Sequence, residues 1–318
     1  MYGSDLLRSL LFMAAALALL WLFIKSKLNA LTVAISLLVL VTFDLIPVGK
    51  RYLKAENFVD KTNIEEEFAA SNADKTIMQD PQYKNIRIFN TDDPFNNAKP
   101  SYHFNSVGGY NPAKLAIYMD LIERQLSKGN MAVFNMLNTK YFIVQDPQSG
   151  QQVAQLNNGA LGNVWFVKHV QVVENADAEM KALDNFNPAD TAFVDKRYQN
   201  KLKGQPVFDS TARIRLVENI NDTVRYEYTT ATPQFAVFSE IYYDKGWNAF
   251  LDGNKVDYVR TNYVLRGMSL PAGNHKIEFR FEPQSYKTGN AVAMWAAIIG
   301  FIFIILAIYF SVKKKKLV

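Results

Sequence analysis

The sequence predicts an α+β membrane protein. Two transmembrane helices at the N-terminus and one at the C-terminus flank an extracytoplasmic region made of a small α/β unit and a C-terminal β-sandwich. Three observations carry this reading. Residues 10–24, 28–46 and 291–312 are apolar runs. Lysines cluster beside these runs at two places, residues 25–27 and 313–316. From Ala212 on, alternating segments recur about every eight to twelve residues between turn signals, the rhythm of a sandwich.

A spanning helix needs about 20 mostly apolar residues. Residues 291–312 meet this with Ser311 as the one polar group. Leu6 and Leu7 lengthen the first run, and Arg8 can snorkel to the headgroups. The second run carries Asn29, Thr32, Ser36, Thr42 and Asp44, and gains credibility as the partner in a hairpin. A cleaved signal peptide fits poorly. Asp5 accompanies Arg8 ahead of the run, and Lys25, Ser26, Lys27 and a second apolar segment follow it.

Cytoplasmic loops carry the excess of lysine and arginine. Lys25 and Lys27 turn the hairpin, and Lys313, Lys314, Lys315 and Lys316 follow the last run. One topology keeps both clusters inside. The N-terminus is outside, residues 47–288 are extracytoplasmic and the C-terminus is inside. With Arg8 these lysines are seven of 35 basic residues, and Asp5 and Asp44 are two of 30 acids. The remaining 28 and 28 cancel, so the net charge of +5 reports topology. A nucleic-acid partner, which needs a basic folded face, is not expected.

The chain has no cysteine, which excludes disulfides and thiol chemistry. His103, His169 and His275 are far apart and lack metal-ligand spacing. No metal and no cofactor are expected.

Five segments result: a hairpin over 1–46, a connector over 47–83, the α/β unit over 84–205, the sandwich over 206–288, and the last helix with its lysine tail over 289–318. "NIRIFN" (85–90) reads as a strand. Asn111-Pro112 has the chemistry of a helix start, and Gly129 that of a stop. "MAVFNMLN" reads as a second helix, "KYFIV" (140–144) as a strand, "NVWFVKHVQVV" (163–173) as strongly β, "DAEMKALDNF" as a helix and "TAFVD" as a strand. Asp252-Gly253 and Ala272-Gly273-Asn274 are hairpin turns.

Motifs of nucleophilic, phosphate-loop or dinucleotide chemistry are absent. "SVGGYNP" (106–112) places two glycines before a helix start, where an anion can be held. A loop that needs positive φ is the plainer reading. Glycoside hydrolysis needs two facing carboxylates. Asp92-Asp93, residues 65–67, and Asp252 with Asp257 supply acids that sequence alone does not bring together. Tyr102, Tyr110, Tyr242, Tyr243, Trp247 and Tyr263 are candidates for an aromatic glycan platform. In the alternation Trp247, Ala249, Leu251, core packing is the favoured role for Trp247. The residues singled out for substrate binding are Tyr102, His103, Gly108, Gly109, Tyr110 and Tyr243. No residue is assigned a catalytic role.

Several stretches together carry a resemblance: "FDLIPVGKRYL" (43–53), "DPFNNAKPSYHFNSVGGYNPAKLAIYMDLI" (93–122), "NMLNTKYFIV" (135–144), "GNVWFV" (162–167) and "FSEIYYDKGWNAFLDGNKVDYVRTNYVLRGMSLPAGNHKIEFRFEP" (238–283). In this order they resemble bacterial YfhO-type multi-pass membrane proteins. The resemblance implies long polytopic proteins of the bacterial cytoplasmic (inner) membrane, with a glycosyltransferase-C-like core and an outer C-terminal region. The resemblance further implies a role in moving sugars from polyprenyl-phosphate carriers onto cell-envelope polymers. The chain corresponds to the C-terminal portion. Its implied partners are the lipid bilayer, a polyprenyl-phosphate sugar, an envelope glycan and the missing membrane core of the same protein. The resemblance implies outer domains that bind or position glycan, with catalysis not expected of this chain alone. The alternative is a non-enzymatic, membrane-tethered binding or scaffold protein.

Overall fold

In the computed structural model, residues 2–58 and 60–315 are described, so Lys316 of the lysine tail lies outside the described residues. The chain divides into two units, Met1–Ala69 and Ala70–Val318.

The first unit holds α1 (Tyr2–Ile24), α2 (Ala30–Tyr52) and the short α3 (Lys61–Glu67). Ser26 takes a left-handed φ of 54° between α1 and α2, and the Asn29 side chain caps α2 by accepting the Thr32 N–H at 2.8 Å. Both helices are long and apolar enough to cross a membrane. Their apolar side chains point outward, Leu17 67% and Phe43 69% exposed, as lipid-facing residues do. At the end away from the turn, Arg8 pairs with Asp44 at 3.3 Å and Arg51 with Asp5 at 2.7 Å. Asp5 of α1 and Asp44 of α2 therefore clamp one helix to the other.

The sequence suggested that the second helix stops before Pro47. It continues to Tyr52 with Pro47 inside it. Proline removes one backbone bond. In hydrocarbon every other backbone group still needs an internal partner, which favours keeping the helix.

The second unit opens with α4 (Asn72–Met78), β1 (Arg87–Asn90), α5 (Pro100–His103), β2 (Asn105–Ser106), α6 (Ala116–Arg124), α7 (Met131–Met136), β3 (Thr139–Gln145) and β4 (Gln152–Leu156). These strands form a sheet ordered β2-β1-β3-β4, with β1 parallel to both neighbours and β4 antiparallel to β3. Ile77, Ile86, Ile88, Phe104 and Ile143 fill one face.

The helix expected at Asn111 starts at Ala116 instead. The Asn111 side chain accepts the Ala113 N–H at 2.9 Å and closes a short turn. Tyr118 anchors the helix, its hydroxyl donating to the Val107 carbonyl at 2.7 Å.

Then follow β5 (Val164–Val167), β6 (His169–Val173), α8 (Ala176–Ala182), β7 (Thr191–Asp195), β8 (Arg213–Ile220), β9 (Thr223–Thr230), β10 (Gln234–Ile241), β11 (Trp247–Leu251), β12 (Asn254–Val256), β13 (Val259–Thr261), β14 (Leu265–Leu270) and β15 (Gly273–Phe281). The stretch "NVWFVKHVQVV" is two strands. It breaks at Lys168, where the N–H groups of Lys168 and His169 both donate to the Asp190 carbonyl. β6 then pairs in parallel with β7. β5 pairs with β10, from Phe235 opposite Val167 to Phe238 opposite Val164.

The sandwich packs β12-β11-β15-β9-β8 on β13-β14-β10-β5. Tyr226, Phe238 and Phe279 meet edge to face at its centre, with Phe238 4.9 Å from Tyr226 and 5.1 Å from Phe279. Immediately beyond lies α9 (Gln284–Lys315), the third helix long and apolar enough to span a membrane.

Near the start of β15, His275 has acceptors on both ring nitrogens, Asp252 at 2.6 Å and the Ala272 carbonyl at 3.1 Å. Only the protonated ring can donate to both acceptors at once. The Asp252 carboxylate raises the His275 pKa above its ordinary value of 6.5, aided by the carbonyl. This contribution to stability is complete below the ordinary value and is lost as pH rises through the raised one. Thermal unfolding of the full chain in detergent, followed from mildly acid to mildly alkaline pH, is expected to lose stability across that window. The His275→Gln variant should lack this part of the slope.

Candidate functional site

A polar cavity of about 430 Å³ lies where the β2 edge of the first sheet meets the ends of β8 and β10. Its construction begins at Arg87, the first residue of β1. The guanidinium donates to the Leu137 carbonyl at 2.9 Å and the Ser239 carbonyl at 2.8 Å, and a second nitrogen lies 3.4 Å from the Glu240 carboxylate.

Glu240 reaches the cavity because β10 bulges. Its register with β14 shifts between Phe238 and Ile241. Ser239 leaves that ladder, its N–H donating to the Asn163 carbonyl and its hydroxyl to Gly162 at 2.6 Å. A bulge of this kind re-aims the next side chain. Asn85 is held by its carbonyl, which accepts from the Asn138 and Asn163 side chains.

The other wall comes from residues 101–106. Ser101, Phe104, Asn105 and Ser106 line it, and Asn219 of β8 closes the far side. The Asn105 side chain donates to the Lys84 carbonyl at 2.7 Å, which fixes the amide and orients its oxygen. Behind Glu240 lie two buried polar groups. Burial, reinforced by Glu240, pushes the Tyr226 phenol well above its usual range. Arg266 stacks between Trp247 at 4.2 Å and Phe279 at 5.0 Å, and burial pulls its pKa down while Glu240 opposes that shift.

The lining thus offers amides, hydroxyls, one guanidinium and one carboxylate, with the Phe104 ring as an apolar patch. Such a mixture of donors and acceptors suits a polyhydroxylated ligand. Glu240 is the one carboxylate among the described lining residues, so this cavity lacks the acid pair of a glycosidase. No cluster able to hold a metal ion occurs among the described residues.

The residues singled out by sequence fall beside this cavity or away from it. Tyr102 and His103 sit on α5 between Ser101 and Phe104, their rings edge to face at 4.9 Å. Gly108 and Gly109 let the chain cross over residue 94. A Cβ on Gly108 would stand 1.8 Å from the Pro94 oxygen, and Gly109, at φ +96°, donates its N–H to the same oxygen at 2.7 Å. The Gly108 N–H is spent on the Ser106 hydroxyl, so both amides an anion would need are engaged. Tyr110 is exposed next to them. Tyr243 lies apart, after β10, 6.5 Å from the Phe281 ring. Of the other aromatics, Tyr263 donates to Asp120 at 2.7 Å, and Trp247 is packed on Arg266 in the sandwich.

Sequence reasoning missed Asn85, Arg87, Asn219 and Glu240. One signal was present: Ser239-Glu240 interrupts the apolar run "QFAVFSEIYY". Arg87, between Ile86 and Ile88, read as an ordinary outward position on a strand.

Gly108→Ala is expected to destabilise the fold by about 1–3 kcal/mol, the cost of overpacking, because its new methyl meets backbone rather than a movable side chain. Chemical denaturation of the full chain in detergent checks this. Tyr110→Ala, on an exposed position, should stay within about 0.5 kcal/mol of the parent.

Comparison with curated proteins finds no match, and comparison with solved structures finds none. Residues 199–293 match the family described as bacterial membrane protein YfhO. The matched segment runs through the whole of β8–β15 into α9, and carries Asn219 and Glu240 of the cavity. The similarity to the YfhO family is thus carried by strands β8–β15 and the start of α9.

Proposed function

We propose that the region between α2 and α9 lies outside the bacterial cytoplasmic membrane and binds or positions glycan. In this role it supports transfer of sugars from polyprenyl-phosphate carriers to cell-envelope polymers. The observation that carries the reading is the polar cavity with its mixed lining, fixed by Arg87 and the β10 bulge. The loop 101–110, with Tyr102, His103, Gly108, Gly109 and Tyr110, frames one wall, and Glu240 and Asn219 hold the other. Similarity of residues 199–293 to a membrane protein family and three helices suited to spanning support the setting. Lysines at the α1–α2 turn and at the end of α9 support the orientation.

Neutral hydrogen bonds to a ligand are worth about 0.5–1.5 kcal/mol each. Replacing Asn105 and Asn219 together by Ala should therefore weaken glycan binding roughly tenfold. In cells expressing the double variant in place of the parent, the sugar released by acid hydrolysis from purified envelope polymer should fall. Unchanged sugar content, with the variant present in membranes at the parental level, would contradict the proposal.

A further inference from the structure

We infer that the α9 end of the sandwich rests on the headgroup layer of the leaflet that α9 enters, through the loop 242–246, and holds the cavity beside the bilayer. The occupant of this surface is lipid. The inference concerns where the domain sits and stands apart from what fills the cavity.

The first argument is the absence of slack. β15 ends at Phe281 and α9 begins at Gln284, with Glu282 and Pro283 between them. The Glu282 N–H donates to the Gly246 carbonyl at 2.7 Å. Gly246, at φ +141°, packs so closely that a Cβ would stand 2.8 Å from the Phe281 ring and 3.0 Å from Pro283. The loop is thus fastened to the residue that precedes the membrane helix.

The second argument is distance. α9 qualifies as a span from Gln284 on, and its unbroken apolar run starts at residue 291. Eight helical residues rise about 12 Å, which bounds the gap between Pro283 and hydrocarbon at any tilt. Headgroups occupy about 5–7 Å of that gap. Side chains of the loop cover the remainder.

The third argument is chemistry. Tyr243, Asp244 and Lys245 are exposed on the loop, Phe281 is 37% exposed beside Tyr243, and Tyr286 follows on the first turn of α9. Tyrosine is enriched at membrane interfaces, and the charges of Asp244 and Lys245 cancel, so the loop meets the headgroups without net charge.

The cavity lies at this same end. The Phe238 and Phe279 rings touch, and two residues further along each strand come Glu240 and Phe281. Phe281 also donates its N–H to Asp222, three residues past Asn219. The opposite end of β15, at Gly273, is about 26 Å away for an extended strand.

The chain has no cysteine, so an introduced one is the sole thiol. The variants Tyr243→Cys, Lys245→Cys, Tyr286→Cys and Ala272→Cys, each in the full chain, are labelled with an environment-sensitive fluorophore. They are reconstituted in phosphatidylcholine–phosphatidylglycerol vesicles that carry a headgroup nitroxide. Labels at Tyr243 and Lys245 are expected to lose fluorescence to the extent seen at Tyr286, while the label at Ala272 keeps its signal. Loop labels that behave like the one at Ala272 would overturn the inference. So would equal quenching at all four positions, which would mean that the domain lies flat on the membrane. Lys245 is exposed, so this variant keeps the test decisive if Tyr243→Cys perturbs folding.

Discussion

The second unit depends on one strand that is buried on both faces. Along β10, Phe235 and Val237 enter the core shared with α6, α7 and α8, while Ala236 and Phe238 enter the sandwich. Successive side chains of a strand point to opposite faces, so a four-residue run serves two cores. Each buried aromatic or aliphatic side chain contributes about 1.5–3 kcal/mol. A slip of one residue would send Ala236 and Phe238 to the wrong side and empty both cores together. The α/β layer and the sandwich are therefore locked in one register, and β5, drawn into the same sheet from residues 164–167, tightens the lock.

The polar groups follow from that constraint. A strand buried on both sides has to release its chain somewhere, and β10 does so at Ser239-Glu240. The groups that leave the ladder there are met by Asn163, Gly162 and Arg87. A second polar clamp fixes the β6–α8–β7 piece. Glu179 is fully buried, and burial raises its pKa against the pull of Arg260 at 2.7 Å. Its other oxygen accepts the Tyr263 N–H at 3.0 Å. Asn262 and Tyr263 take left-handed φ values of 47° and 68°, which lets the Asn262 side chain accept the Phe193 N–H of β7 at 2.8 Å. A buried charge without its partner is costly, so removing either Glu179 or Arg260 alone would destabilise this piece strongly.

Much of the fold was legible in the sequence because it rests on local periodicity. The three membrane helices, the β7 strand "TAFVD", α8, and the alternating strands from residue 213 on need only their own residues to be recognised. Helix ends were less legible. Asn111 offered the chemistry of a cap and closed an Asx turn instead, and Pro47 offered a stop that the membrane setting overrode. The pairing of β5 with β10 was invisible because it joins residues about seventy positions apart in an order that no motif marks. The cavity was half legible. The loop around residues 101–110 stood out by composition, but Arg87 and Glu240 are separated by 153 positions and become neighbours only through the packing of two sheets.

The stretch "YYDKGWNAFLDGNKV" illustrates how one segment divides its labour. Trp247 gives its face to the Arg266 guanidinium, a contact worth about 2 kcal/mol or more when desolvated, and so belongs to the core. Asp252-Gly253 forms the β11–β12 turn, and Asp252 also holds His275. The residues before Trp247 are fastened by Gly246 to the root of α9. The segment matched to the YfhO family thus contains every sandwich strand but β5, the junction with the membrane helix and the Glu240 wall of the cavity. The facing wall, from Asn85 and Arg87 to Ser106, lies outside that match. Arg87 stands on β1 and Asn105 and Ser106 on β2, so this wall, like the one that carries Glu240 and Asn219, is held by paired strands.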